Sequence, residues 1–140
     1  MLKKRIIFTL HYDKGFFNLS RNFRLQKIGD LNWLLKNYNF LKIAESIDEL
    51  IIIDVSRDNR EHDKFLENVS EITKNIFVPV CLGGGIRTLE YAKKLFESGA
   101  DKINLNTSLF HDPSLVDEIS KTYGAQAIIG HLDFRKKEND

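Results

Sequence analysis

Cysteine is nearly absent from these 140 residues, proline is scarce, and neither sign of charge is in excess. A lone thiol, Cys81, cannot close an internal disulfide, so a disulfide-stapled secreted scaffold is excluded and a reducing cytoplasm is the expected setting. The 21 Lys and Arg offset 20 Asp and Glu to leave +1. A nucleic-acid-binding domain would carry a basic surplus, so no nucleic-acid partner is expected. No apolar run approaches the ~18 residues of a membrane span. The basic opening Lys3-Lys4-Arg5 is followed by neither a long apolar stretch nor a small-residue cleavage site, so it does not read as a signal peptide. His11, His62, His111 and His131 show no zinc-like spacing with Cys81, and no metal or cofactor is expected. His62 and His111 fall in surface-like contexts, and Cys81 reads as an inert core thiol.

What is present is core material. Hydrophobic residues make up 42% of the chain and ten are Phe, enough to exclude disorder. Residues 5–10 read as a short buried strand. Lys14-Gly15 is a turn signal, and the aromatic stretch to Arg24 is a hairpin or a long ordered loop. Asp30 is a candidate N-cap for a helix with apolar positions from Leu31 to Ile43. Residues 50–55 form a continuous β-branched run, as in a parallel sheet covered on both faces. Helical spacing returns over 60–75, a strand over 77–82 ends in Gly83-Gly84-Gly85, and a helix over 88–98 stops at Gly99. A strand over 102–106, a helix from Pro113 to Tyr123 and a fifth strand over 126–133 follow. The tail 135–140 is charged and expected to fray.

Strict βα alternation predicts a parallel α/β sheet in a single domain over residues 1–140. A complete (β/α)₈ barrel takes about 250 residues, so this chain holds about four and a half βα units. The fold expected is therefore a partial barrel of four βα units plus a fifth strand. The first and fifth strands would be open edges and a route to self-association.

Function in parallel α/β folds collects at the carboxyl ends of the strands. The candidates there are His11, Asp54, Gly83 to Gly85, Asn106 with Thr107 and Ser108, and Asp133. Three glycines after a strand remove every Cβ and let backbone N–H groups approach an anion, with the following helix pointing its positive end the same way. Amide and hydroxyl donors at Asn106 to Ser108 would complete a phosphate cradle. No Gly-Lys-Ser/Thr follows the glycines, so this is not a P-loop. Asp133 is a candidate general acid or base, and His11 a candidate proton shuttle. Asp54 reads more simply as a loop-ordering residue. At the opposite ends, Arg5, Glu49 and Lys102 begin three strands, either as solubilising charges or as a salt-bridged ring closing the barrel floor.

The run Lys4-Arg5-Ile6-Ile7, Asn22-Phe23, Asp48-Glu49-Leu50, Gly83-Gly84-Gly85-Ile86, Gly99-Ala100-Asp101-Lys102, Asn106-Thr107, Asp112-Pro113-Ser114-Leu115 and Tyr123-Gly124-Ala125-Gln126 occur in this order. In combination they resemble the first part of the cyclase subunit of imidazole glycerol phosphate synthase, the HisF family. The resemblance implies a (β/α)₈ barrel that takes ammonia from a glutaminase partner. The barrel converts a phosphorylated ribulosyl aminoimidazole carboxamide nucleotide to imidazole glycerol phosphate and a purine-precursor nucleotide, a step of histidine biosynthesis. It implies phosphate binding at Gly85, Asn106 and Thr107, an acid/base role at Asp133, an ammonia gate at Arg5, Glu49 and Lys102, and a glutaminase interface at Asp101. Two positions depart. His11 stands where the family has its other catalytic Asp, and Leu19 where it has a loop lysine. These departures, with Asp54-Val55-Ser56-Arg57 and Asn59-Arg60-Glu61, also resemble HisF-like paralogues that serve sugar-aminating amidotransferases as ammonia conduits without cyclase activity.

Overall fold

The computed structural model describes residues 3–22 and 24–134. Phe23 and the tail expected to fray, 135–140, lie outside the described residues. Seven strands form one sheet in the order β3-β2-β1-β4-β5-β6-β7. Five of them, β1 (Ile7–Asp13), β4 (Glu49–Asp54), β5 (Val80–Gly83), β6 (Lys102–Leu105) and β7 (Ile128–Gly130), pair in parallel and in chain order. A doubly wound sheet reverses its order at a switch point. The five parallel strands of this one never do, which is how a barrel grows, and the sheet is an open part of one.

The turn at Lys14-Gly15, both at positive φ, starts a hairpin rather than a long loop. Strands β2 (Phe16–Arg21) and β3 (Arg24–Gly29) continue the sheet antiparallel to β1. The expected open edge at the first strand is therefore covered by β2, and the outer strands are β3 and β7.

The helix expected from Leu31 to Ile43 is two helices, α1 (Leu31–Asn37) and α2 (Phe40–Ala44). Asp30 accepts from the Trp33 N–H at 2.8 Å and opens the first. Tyr38 is extended, and Asn39 then accepts from the Lys42 N–H at 3.1 Å, starting a second helix where the first would have continued. The break lets Leu34 and Phe40 both reach the core.

Helices α3 (His62–Thr73), α4 (Leu89–Glu97) and α6 (Pro113–Tyr123) return the chain between parallel strands. Each buries one apolar stripe: Phe65, Val69 and Ile72; Tyr91, Ala92 and Leu95; Leu115 and Ile119. These join Leu10, Leu50, Ile52, Leu82, Ile103 and Leu105 of the sheet in one core. Full burial of each Leu, Ile, Val or Phe among them is worth about 1.5–3 kcal/mol.

Strand ends differ from the sequence reading for local reasons. β5 begins only at Val80, because Pro79 has no N–H to give the ladder, and Phe77 is 81% exposed. The fifth parallel strand shortens to three residues, because Ala125–Ala127 form a 3₁₀ turn. A short helix, α5 (Thr107–His111), follows β6 directly where none was expected. His62 is not a simple surface residue, since its ring lies 4.0 Å from that of Tyr91. Among the described residues no helix is long and apolar enough to cross a membrane.

Candidate functional site

The carboxyl ends of the parallel strands surround a cavity of about 390 Å³. It is reached by Gly84, Gly85, Asn106, Thr107, His11 and Asp133, so the residues singled out at separate strand ends meet in one place.

The glycines have three different reasons to be glycine. Gly83 still belongs to β5, and a Cβ there would stand 2.8 Å from Asn104 Cβ on β6. Gly84 has φ +105, and its Cβ would run into the backbone carbonyl of Asp54 at the end of β4. Gly85 has φ +66, and its Cβ would strike the guanidinium of Arg60. Gly84 and Gly85, not the whole triplet, form the turn. The next helix, α4, begins only at Leu89, and Thr88 caps it by accepting from the Tyr91 N–H at 3.1 Å.

Asn106 directly follows β6, and its Nδ2 donates to Asp133 Oδ2 at 2.6 Å. The other carboxylate oxygen, Oδ1, lies 3.4 Å from His131 Nε2. A candidate anion ligand and the candidate acid/base thus touch directly. Thr107 borders the same cavity. Ser108, grouped with the donors on sequence, is buried and spends its hydroxyl on the Ile86 carbonyl at 2.5 Å, locking the loop after β6 to the loop after β5.

His11 is within β1, paired with Ile53 of β4, and faces the cavity. Burial first, then the neighbouring His131, holds its pKa below the usual 6.5. Asp54 is 1% exposed, and its Oδ1 accepts from the Ser56 N–H at 2.9 Å, so it does order the loop. Leu19, where the resemblance places a lysine, is 47% exposed on β2. Arg57, Arg60 and Arg87 also border the cavity. Sequence reading gave these arginines no role, although Arg57 and Arg60 follow a strand-ending Asp within six residues and that spacing was a usable signal.

The opposite end carries the other charged group. Arg5 Nη2 donates to Glu49 Oε2 at 2.9 Å, and Lys102 Nζ lies 3.7 Å from Glu49 Oε1. Glu49 is 3% exposed, so the three charges do meet, around a buried carboxylate. Arg5 lies two residues before β1 rather than in it. Asp101 is engaged within the chain. Its Oδ2 accepts from the Val80 N–H at 2.8 Å, and its own N–H donates to the Val80 carbonyl at 2.8 Å.

A parallel sheet laid down in chain order, with polar loops gathered at its carboxyl end, defines the α/β class of partial (β/α) barrels. A family model described as histidine biosynthesis protein matches residues 26–139. The chain belongs to that family, with the HisF proteins as its relatives. It is 54% identical over all 140 residues to a protein of Parasynechococcus marenigrum provisionally named imidazole glycerol phosphate synthase subunit hisF2, of which it covers 52%. It is 37% identical, over 99% of its length, to imidazole glycerol phosphate synthase subunit HisF of Campylobacter jejuni, covering 53% of that protein. A hisF2 protein of Pseudomonas aeruginosa, also provisionally named, is 31% identical over 97% of this chain and 53% of its own. The chain spans about half the length of the curated relatives it matches.

Proposed function

We propose that this chain supplies the first half of the cyclase barrel of imidazole glycerol phosphate synthase, a lyase of histidine biosynthesis. The observation that carries the reading is the convergence of Gly84, Gly85, Asn106 and Thr107 with Asp133 and His11 around one cavity. In this reading Gly84, Gly85, Asn106 and Thr107 hold a substrate phosphate, Gly83 lying in the strand behind them, and Asp133 moves the proton. Asn106 holds Asp133 in place. Ammonia from a glutaminase subunit docked near Asp101 enters through Arg5, Glu49 and Lys102, whose contact must open as it passes. These are cytoplasmic reactions.

The test is turnover of the phosphorylated carboxamide nucleotide with ammonia supplied as an ammonium salt, using the protein that carries this chain. Turnover is expected, and Asp133→Asn should abolish it. His11 in the place of a second carboxylate supports one other reading, an ammonia conduit for a sugar-aminating partner. No cyclisation, together with glutaminase-dependent amination of a sugar nucleotide, would replace the first reading by the second.

A further inference from the structure

Arg60 borders the cavity and folds back on the loop after β4. Its Nε donates to the Ser56 carbonyl at 2.7 Å, four residues back, and lies 3.9 Å from Asp54 Oδ2. Asp54 is buried, and that oxygen has no hydrogen-bond partner among the described residues. The side chain is 30% exposed, against 52% for Arg5 at the other end of the barrel. Its guanidinium rests on the bare Cα face of Gly85, where any side chain would displace it. With Nε used by Ser56, the Nη1 and Nη2 donors have no hydrogen-bond acceptor among the described residues.

We propose that Arg60 is an anion-binding residue of the mouth, placing its guanidinium fork on the same phosphoryl group that Gly84, Gly85, Asn106 and Thr107 hold. The inference rests on the phosphate reading of that cavity and names a ligand-binding side chain beyond it. Ser56 and Asp54 are the positioning groups: the carbonyl fixes the Nε edge, and the buried carboxylate keeps the charge at this depth. A guanidinium with its inner edge fixed presents its outer edge as a rigid pair of donors. A planar carboxylate ligand would be filled by that fork alone. A tetrahedral phosphoryl group also accepts from the other side, where the glycine turn, the Asn106 amide and the Thr107 hydroxyl are. The charge count agrees. Arg57, Arg60 and Arg87 outnumber Asp54 and Asp133 around the cavity by one. Gly85 gains a second reason to be glycine, since it makes room for Arg60 as well as turning the chain.

The experiment is calorimetric titration of inorganic phosphate, with acetate as the planar control, into the protein carrying this chain. Wild type is expected to prefer phosphate. Arg60→Gln should weaken phosphate binding by about tenfold, the scale of a charge-assisted pair of hydrogen bonds partly open to solvent. Arg60→Lys should recover only part, keeping the charge and losing the fork. Asn106→Ala separates the two readings. If it weakens phosphate while Arg60→Gln stays within about twofold of wild type, the Arg60 proposal is overturned and the site reading stands. If wild type binds no phosphate, both fall. Should Arg60→Gln misfold, the Arg60 Nε–Hε resonance of wild type decides: it should move saturably with added phosphate, and a resonance that stays still overturns the proposal.

Discussion

Alanine at Gly84 should damage folding, whereas alanine at Gly85 should damage mainly the site. Gly84 sits at φ +105, a conformation that costs an L-residue about 1–2 kcal/mol. The new methyl would also stand 2.8 Å from Asp54 N and nearer still to the Asp54 carbonyl oxygen. Both are backbone atoms at the end of β4, so relief requires the β4 and β5 ends to part. Overpacking of this kind costs about 1–3 kcal/mol. Together Gly84→Ala should lose about 2–5 kcal/mol. Gly85→Ala shares the positive φ, but its obstacle is the far end of a flexible arginine that can swing away. About 1 kcal/mol is expected there. Gly130→Ala is the control: its methyl meets only Leu109 Cδ1 at 3.4 Å with no positive φ, and the loss of unfolded-state entropy should leave it neutral or stabilised by about 0.4–1 kcal/mol. Urea unfolding of the three variants with a shared m-value measures all three costs. If Gly84→Ala lies within about 1 kcal/mol of Gly130→Ala, the account of Gly84 as a close approach to the Asp54 backbone is wrong.

Three further outcomes are expected. Glu49→Gln should destabilise by about 1–2 kcal/mol in thermal unfolding, less than the 3–5 of a fully buried pair because Arg5 and Lys102 both reach solvent; a neutral or stabilised variant would show that the ring carries no stability. His11 has its folded pKa below 6.5, so its contribution is present above pH 6.5 and is lost as pH falls from there towards the folded value, where the unfolded chain binds the proton first; His11→Asn should flatten that part of the stability–pH curve, and an unchanged slope would refute it. Burial, with Glu49 nearby, pushes the Cys81 thiol up to about 12, so a thiol reagent at pH 8 should modify it only in step with unfolding.

The βα order, the N-cap at Asp30 and the glycine turn after β5 were legible because each has a local cause: a β-branched run, a capping side chain, a bare turn. The broken helix at Tyr38–Asn39 was not, since its apolar spacing survives the break and only the capping choice of Asn39 reveals it. The hairpin could be read only as one of two options, as aromatic residues do not themselves fix pairing. What the site residues do to one another needed the third dimension. Asn106 and Asp133 are 27 residues apart and bonded, while Ser108 is diverted to Ile86. The arginines went unread because a charge after a strand is usually a solvated one, and only the approach to Gly85 distinguishes Arg60.

Side chains bond to backbone at both ends of the sheet, and at the amino ends the residues next to them also build the charged ring. At the amino ends, side chains do backbone work. Asp48 takes the Ile6 N–H on Oδ2 at 2.7 Å and gives its own N–H to the Ile6 carbonyl at 2.8 Å. Asp101 does the same with Val80. In both cases the next residue, Glu49 or Lys102, points the other way because strand side chains alternate, and so enters the charged ring. Strand register and ring are therefore one construction, and a change in either is felt by both. At the carboxyl ends the closest approach of β4 and β5 is a glycine against a carbonyl, and side chains work in the loops beyond it, Asp54 on the Ser56 N–H and Ser108 on the Ile86 carbonyl. A change of side chain in those loops can therefore leave the pairing of the strands beneath in place, which puts room for specificity in the loops.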